Sequence, residues 1–220
     1  MSIIWLAAMN MMNTETSRTG AQVRGSTSED ARVERTRERL AEAVIALASE
    51  RDISTASVAE LTRRAGINRA TFYNHASSPI ELLTRVLSAD LDELRREMFE
   101  VLAQDRTALL NRGRRSLQGM IDHVLRYENV YGIGHASSVF ALRVVLAEHV
   151  EKSMQDFLRL KPSVLPQEVG NALTLYSAFL AHGVAGAFEA WLRLPSPRDS
   201  EKLMAVVEDL YPSWFWDGSS

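Results

Sequence analysis

Apolar residues along most of this chain return every three or four positions, the pattern of amphipathic helices. One stripe comprises Leu40, Ala43, Val44, Leu47 and Ala48, and arginine and glutamate occupy the other faces of that segment. A longer stripe comprises Ile80, Leu83, Leu87, Leu91, Leu94, Met98 and Val101, and spans roughly 35 Å of helix. Period-two runs rich in Val, Ile and Thr are absent from the sequence. The pattern therefore predicts an all-α fold.

Proline, glycine and capping residues divide this pattern into separate helices. Residues 1–30 are rich in Thr, Ser, Gly and Met and have no helical period, so we expect a flexible N-terminal extension. The first helix ends near residues 49–52. The later helices are predicted at residues 57–65, 69–75, 79–102, 107–127, 129–133, 137–160, 167–193 and 197–211.

Residues 57–75 read as two short helices with a glycine turn between them. Ser57 and Glu60 form a capping box, Gly66 suits a left-handed helix end, and Asn68 can cap the second helix. The apolar residues that can hold the pair together are Val58, Leu61, Ala65, Ile67 and Phe72. Such a helix-turn-helix fills the DNA major groove, which is about 12 Å wide, and meets base edges with the start of its second helix.

This geometry selects candidate DNA contacts. Ser57 lies at a helix N-terminus, where backbone N–H groups favour a phosphate. The candidates on and after the second helix are Asn68, Arg69, Ala70 and Thr71 for the groove, and Tyr73, Asn74 and His75 for phosphates. Two short amphipathic helices around a glycine also occur as plain packing units, so the spacing alone leaves a structural role open.

The residue types in this segment are a more specific signal than the spacing of its two helices. The strings VAEL at 58–61, AGINRATFYNH at 65–75 and SPIELL at 78–83 resemble the N-terminal domain of the tetracycline-repressor (TetR) family. The resemblance covers about residues 33–90. It implies a three-helix DNA-binding domain at residues 31–77, a connecting helix, and a helical ligand-binding and dimerisation domain within 78–220. It also implies a homodimer on a palindromic operator, read by Asn68, Arg69, Ala70, Thr71, Tyr73 and His75.

Two positions depart from the family pattern. The family usually has an aromatic residue after the histidine and a lysine at the start of the fourth helix, where this chain has Ala76 and Pro79. Loss of the lysine removes one phosphate contact. We therefore expect DNA affinity to depend on Arg69 and on arginines in or before the first helix, such as Arg32, Arg35 and Arg37.

The C-terminal half contains a candidate dimer interface. Residues 167–193 carry alanine, glycine and serine on most faces, which lets another helix approach closely. Residues 197–211 add an apolar stripe of Leu203, Val206, Val207 and Leu210. Both helices could instead close the core of a single chain, but the family resemblance favours a four-helix interface with a second copy.

A ligand pocket needs apolar walls and a few orienting polar groups. The candidates for contact with a small-molecule effector are His123, Arg126, Tyr127, Tyr131, His149, Phe157, Tyr176, Phe179 and His182; His135 and Trp191 share their character. The sequence contains no Gly-x-Ser-x-Gly, His-Glu-x-x-His or Glu-x-x-His motif, and its histidines do not pair at i, i+4. We therefore predict no catalytic residues, no metal site and no cofactor.

Charge and cysteine content refine this picture. The formal charge is −3 over 220 residues, so the chain does not coat nucleic acid with its whole surface. Residues 1–75 carry 10 − 9 = +1 and the rest 15 − 19 = −4, which leaves room for a local DNA-reading surface. The sequence has no cysteine, so the expected trigger is a ligand and not thiol oxidation.

The expected function is a ligand-responsive, homodimeric transcriptional regulator in the cytoplasm, most simply a repressor. The apolar run at residues 3–9 is too short to span a membrane. An activator would share every feature of the sequence. From another class, a helical small-molecule-binding protein or enzyme with a vestigial helix-turn-helix is the alternative, supported by the missing lysine.

Overall fold

The fold is helical throughout the part of the chain that the structure describes. The structure is a computed structural model and describes residues 26–104, 109–132, 135–160 and 173–211. The all-α prediction is confirmed for these ranges, in which no strand occurs. A 3₁₀ turn lies at Ile53–Thr55, and the helices are α1 (Ser26–Glu50), α2 (Val58–Ala65), α3 (Arg69–Tyr73), α4 (Pro79–Gln104), α5 (Leu109–Arg126), α6 (Glu128–Tyr131), α7 (Ala136–Leu160), α8 (Leu173–Leu192) and α9 (Ser200–Leu210).

Helices α1, α2 and α3 form a three-helix head around a small apolar core. Leu47 of α1, Leu61 of α2 and Phe72 of α3 are fully buried, and Val58 and Ile67 pack partly buried against the same core. Burial of one such side chain stabilises the fold by about 1.5–3 kcal/mol. The apolar positions predicted to hold the helix pair therefore do so.

The predicted capping residues fix the ends of the head's helices. The Ser57 hydroxyl accepts from the Glu60 N–H at 3.1 Å, as predicted. The second half of the predicted capping box is wrong, because the Glu60 carboxylate binds Arg51 and not the Ser57 N–H. Gly66 has φ 65°, in the left-handed region, which allows the Ile67 N–H to donate to the Thr62 carbonyl at 3.0 Å. These local bonds set the angle between α2 and α3.

Helix α4 joins the head to the rest of the molecule. Half of its predicted capping box is confirmed, since the Ser78 hydroxyl accepts from the Glu81 N–H at 3.2 Å. The Glu81 carboxylate does not bind the Ser78 N–H and accepts from the Ser77 N–H at 2.9 Å. Leu83, Leu87 and Leu91 are buried, and α4 packs against α1, α5 and α7. One apolar core thus runs continuously from the head into the C-terminal helices.

Helices α7 and α8 form the most extensive helix pair in the C-terminal part. Arg143 of α7 donates to the buried carboxylate of Glu189 on α8 at 2.6 Å, and Arg193 binds the same carboxylate. Helix α9 packs against α8 and α5, where Arg114 contacts Glu201 at 3.1 Å and Glu208 at 3.0 Å.

The structure shifts some predicted boundaries. Helix α1 begins at Ser26, so residues 26–30, which we assigned to the extension, are helical; this stretch is charged and has no apolar stripe to reveal it. The predicted stripe of α9 divides between two faces, because Leu203 and Val207 are buried while Val206 and Leu210 are exposed. The remainder of the extension, at 1–25, and the predicted helix starts at 107–108 and 167–172 lie outside the described residues.

Candidate nucleic-acid interface and a buried polar cluster

Helix α3 presents its polar residues on the surface of the head. Phe72 is fully buried, and the ring of Tyr73 packs edge-on against it at 5.4 Å while Tyr73 stays 59% exposed. Arg69 and Ala70 are exposed at the start of the helix. Because Phe72 anchors the helix, Arg69 and Tyr73 stand on a rigid support.

Asn68 has a structural task that limits its role toward DNA. Its side-chain oxygen accepts from the Thr71 N–H at 2.7 Å and from the Thr71 hydroxyl at 3.0 Å, which caps α3. The oxygen of Asn68 is therefore already occupied, and only its amide N–H groups remain available to bind a nucleic acid. The Ser57 hydroxyl, which accepts a backbone bond, can still donate its own proton to a phosphate.

His75 lies where the head meets α4. Its carbonyl accepts from Arg85 of α4, and its ring is partly buried beside Arg37 and Arg85. Burial, together with these two cations, lowers the pKa of His75 below its ordinary value. The side chain is therefore a neutral donor or acceptor at neutral pH, flanked by two guanidinium groups that favour a phosphate.

A second polar cluster lies between α4, α5 and α6, with His123 and Tyr131 buried and Arg126 exposed at its edge. Asp90 of α4 accepts from Arg126 at 2.8 Å and from the Tyr127 hydroxyl at 3.0 Å, and the His123 Nδ1 lies 3.7 Å away. The His123 Nε2 forms a 2.7 Å hydrogen bond with the hydroxyl of fully buried Tyr131. Since Asp90 is negative, it favours the proton on Nδ1, so that Tyr131 donates to Nε2.

Burial and the neighbouring groups together set the protonation of this Asp90 cluster. Burial alone would raise the pKa of Asp90, but His123, Tyr127 and Arg126 outweigh it and hold the pKa below its usual value. Burial lowers the pKa of His123 despite the nearby carboxylate, and raises the pKa of Tyr127 to about 12. At neutral pH the cluster therefore contains one carboxylate, one guanidinium, a neutral imidazole and two neutral phenols.

His149 of α7 lies beside this cluster. It is 3% exposed, and burial, helped by Arg95 and His123, lowers its pKa to about 3. Neither ring nitrogen has a hydrogen-bond partner among the described residues. The Leu91 carbonyl is near enough to favour the protonated ring, but its position does not meet the geometry of a hydrogen bond. A buried imidazole without partners is uncommon, because desolvating such a group costs about 1–3 kcal/mol.

Comparison with known proteins identifies the head. The family model described as bacterial regulatory proteins, tetR family, matches residues 40–86, which run from the middle of α1 into α4. Residues 40–86 of this chain therefore form a tetR-family domain. TetR-family proteins are ligand-responsive DNA-binding transcription regulators and generally not enzymes. No curated protein sequence gave a significant match.

Two solved structures are similar in fold to this chain. A TetR-family regulator (SCO0857) from Streptomyces coelicolor is 18% identical, with a TM-score of 0.52, over 90% of this chain and 100% of that one. RolR in complex with resorcinol is 18% identical, with a TM-score of 0.50, over 82% of this chain and 89% of that one. At this identity the similarity concerns the fold.

The residues predicted for DNA contact lie together on the TetR-family head. Ser57, Asn68, Arg69, Ala70, Tyr73 and Asn74 are exposed, whereas Thr71 and His75 are partly buried. Their contact with DNA remains a prediction.

The residues predicted for ligand contact fall into two groups. His123, Arg126, Tyr127 and Tyr131 meet around Asp90, and His149 lies next to them; Phe157 is buried further along α7. In contrast, Tyr176, Phe179 and His182 lie on the exposed face of α8. Trp191 is buried with its indole N–H bonded to the Asp199 carbonyl, and His135 is exposed.

Sequence reasoning missed Asp90 of this cluster and two buried serine hydroxyls outside it. Asp90 sits within the apolar stripe of α4, three positions after Leu87 and four before Leu94, and a charge at such a position signals a buried pair. Ser153 and Ser177 carry buried hydroxyl oxygens without a partner among the described residues. A serine among alanines gives no comparable signal.

Within the described residues, no helix has the length and apolar content needed to cross a membrane. The same part of the chain contains no group of three or more His, Cys, Asp or Glu side chains able to hold a metal ion.

Proposed function

We propose that this chain is a homodimeric repressor that binds a palindromic operator in the cytoplasm and is released from it by a small-molecule effector. The observation that carries the proposal is the exposed, Phe72-anchored surface of α3 on a head that α4 joins directly to a buried polar cluster. Two such heads about 34 Å apart would enter successive major grooves on one face of the duplex.

Two helices support coupling between an effector site and the head. Helix α4 carries both Arg85, which binds the His75 carbonyl, and Asp90 of the buried cluster. At the start of α7, the Ser137 hydroxyl donates at 2.5 Å to Asp52, which precedes the 3₁₀ turn of the head. His149 lies on the same helix about 18 Å further along. A ligand that displaces α4 or α7 would therefore move the head.

Operator binding is the first test of the proposal. Selection from random DNA, or a gel shift with DNA from upstream of the coding sequence, should yield a palindromic site bound by the dimer. A reporter fused to that site separates repression from activation. Failure to enrich any sequence would favour the alternative of a ligand-binding protein with a vestigial head.

Coupling is tested by measuring operator affinity with and without a molecule shown to bind the protein. We expect the affinity to fall in its presence, and by reciprocity DNA should weaken binding of that molecule by the same factor. Equal operator affinity in both conditions would contradict the coupling.

Removing polar groups from α3 should weaken operator binding without unfolding the head. Arg69→Ala and Tyr73→Phe each delete one exposed polar group and leave Phe72 in place, so we expect roughly tenfold weaker binding for Arg69→Ala and a smaller loss for Tyr73→Phe. Fluorescence anisotropy with the selected operator measures both. Arg115→Ala, which removes an exposed arginine from α5, is the charge-matched control. Full-strength binding by both head variants would refute the assigned surface.

Operator affinity should also fall steeply with salt, because each neutralised phosphate releases counterions. A plot of log affinity against log salt concentration should be linear, and Arg69→Ala should reduce its slope by about one per head. A slope that does not change in this variant would mean that Arg69 does not contact a phosphate.

A further inference from the structure

The strongest unexplained feature of the C-terminal helices is a row of buried polar atoms without partners. His149 lies on α7, and Ser153 follows one turn later on the same face, so their side chains are neighbours. Both His149 ring nitrogens and the Ser153 hydroxyl lack a hydrogen-bond partner among the described residues. The hydroxyl of Ser177, on the adjacent helix α8, shares this property and is fully buried.

The charged groups near this row are already paired. Asp90 is bound by Arg126 and Tyr127, and Arg95 contacts Asp156 at 2.7 Å and Asp92 at 3.3 Å. Lys152, the other cation that acts on His149, contacts Glu148 at 3.7 Å. The Nε of Arg95 has no hydrogen-bond partner among the described residues, but its two aspartates neutralise the charge of the guanidinium. The described surroundings of His149 therefore offer no free counter-ion for an ionised ligand.

We propose that His149 and Ser153 bind an uncharged effector that carries hydroxyl or amide groups on an apolar body. The inference rests on the proposed ligand-responsive function and assigns a chemical class to its effector. A hydroxyl or amide group supplies both a donor and an acceptor, which matches the donor nitrogen and the acceptor nitrogen of a neutral imidazole and the serine hydroxyl beside it.

The same groups discriminate against other ligands. A carboxylate or ammonium group would be buried without a counter-ion, at a cost larger than that of any hydrogen bond gained. A purely apolar ligand of the same shape would cover the imidazole and leave its nitrogens unpaired, and sites of this kind reject such analogues strongly. The requirement is therefore for polarity without charge.

Matched compounds test this class. The probes are benzyl alcohol, benzamide, toluene, benzoate and benzylamine, with the corresponding naphthalene and anthracene series to cover larger bodies. The binding of each to the full-length protein is measured by thermal shift and calorimetry. We expect the alcohols or amides of at least one series to bind at least tenfold more tightly than the apolar, anionic and cationic members.

Variants locate the binding. His149→Leu keeps a similar volume and removes both nitrogens, and Ser153→Ala removes the hydroxyl; we expect at least tenfold weaker binding of the preferred probe to His149→Leu and a smaller loss for Ser153→Ala. Glu148→Gln, on the exposed side of the same helix, is the control. Preference for an ionised probe, undiminished binding to His149→Leu, or no binding by any series would overturn the proposal; in the last case buried water is the occupant.

A separate measurement keeps this result apart from the proposed regulation. If the neutral probe binds at His149 but operator affinity is the same with and without it, the chemical assignment stands and effector release fails. If operator binding responds instead to an ionised molecule, the regulation stands and the chemical assignment fails.

Discussion

Replacing Phe179 by glutamate should convert the proposed dimer into a monomer and weaken operator binding about 100-fold. Phe179 is 76% exposed on α8 in the single chain, in a helix whose other faces are mostly buried. A second copy would cover it, and a glutamate there would become a buried charge without a partner. Loss of the second head removes the gain from simultaneous binding of both half-sites, which is typically about 100-fold or more.

The surroundings of Phe179 fit a contact between two copies. The exposed positions of α8 are Thr174, Leu175, Tyr176, Phe179, His182, Gly183, Gly186 and Ala190, and most of them form one stripe. A Cβ atom built on Gly183 or Gly186 meets no atom within 4 Å in the single chain, so the stripe is open enough for a close helix approach. Val206 and Leu210 of α9 are exposed and extend this apolar surface.

Two further variants separate a broken interface from a damaged fold. Gly186→Trp has room in the single chain and should fold, but its side chain would block a partner helix. Phe140→Glu replaces a phenylalanine that is 53% exposed on α7, outside the proposed interface, and should stay dimeric. Light scattering gives the mass of each variant. A monomeric wild-type protein, or a dimeric Phe179→Glu variant that binds the operator normally, would contradict the interface.

The structure of the head could be predicted closely because hydrogen bonds between residues near in sequence determine it. Ser57 and Asn68 cap the helices that follow them, and Gly66 alone permits the left-handed turn between α2 and α3. Each of these bonds joins residues at most five positions apart, so the pattern of residue types reveals it. The buried set of Leu61, Ala65 and Phe72 follows from the same helical spacing.

The buried cluster could be predicted only in part. His123, Tyr127 and Tyr131 were found because polar and aromatic residues in apolar helices are conspicuous. Asp90, which contacts His123 and Tyr127, lies on another helix, 33 positions earlier in the chain than His123. The Asp52–Ser137 bond joins residues 85 positions apart. Helical periodicity gives the face of a residue but not the helix that this face meets, so such pairs depend on the tertiary fold.

The free energy of unfolding should fall by about 2 kcal/mol between pH 7 and pH 5 because of His149 alone. Its pKa in the folded protein is about 3, well below the ordinary value of 6.5, so at pH 5 the unfolded chain binds a proton that the folded chain excludes. Stability is complete above pH 6.5 and decreases as the pH falls, with a limiting slope of about 1.4 kcal/mol per pH unit. His123, whose pKa is also lowered, adds to this loss.

The carboxylates act in a different range of pH. The Ser137 and Ser54 hydrogen bonds lower the pKa of Asp52 to about 2, and Asp90 is also held below its ordinary value. Their stabilising contribution is present above the unfolded pKa of about 4 and is lost only as the pH falls further. The decrease between pH 7 and pH 5 therefore reports on the histidines whose pKa is lowered, which are His149, His123 and the partly buried His75.

Urea unfolding of His149→Leu at pH 7, 6 and 5 tests this assignment. The variant cannot take up the proton, so its free energy of unfolding should depend less on pH, by about 2 kcal/mol over this interval. Val150→Ala, at the next buried position of α7, should lower stability equally at every pH and keep the wild-type slope. A His149→Leu curve parallel to the wild-type curve would show that another group takes up the proton, because no change in packing alone alters the pH dependence.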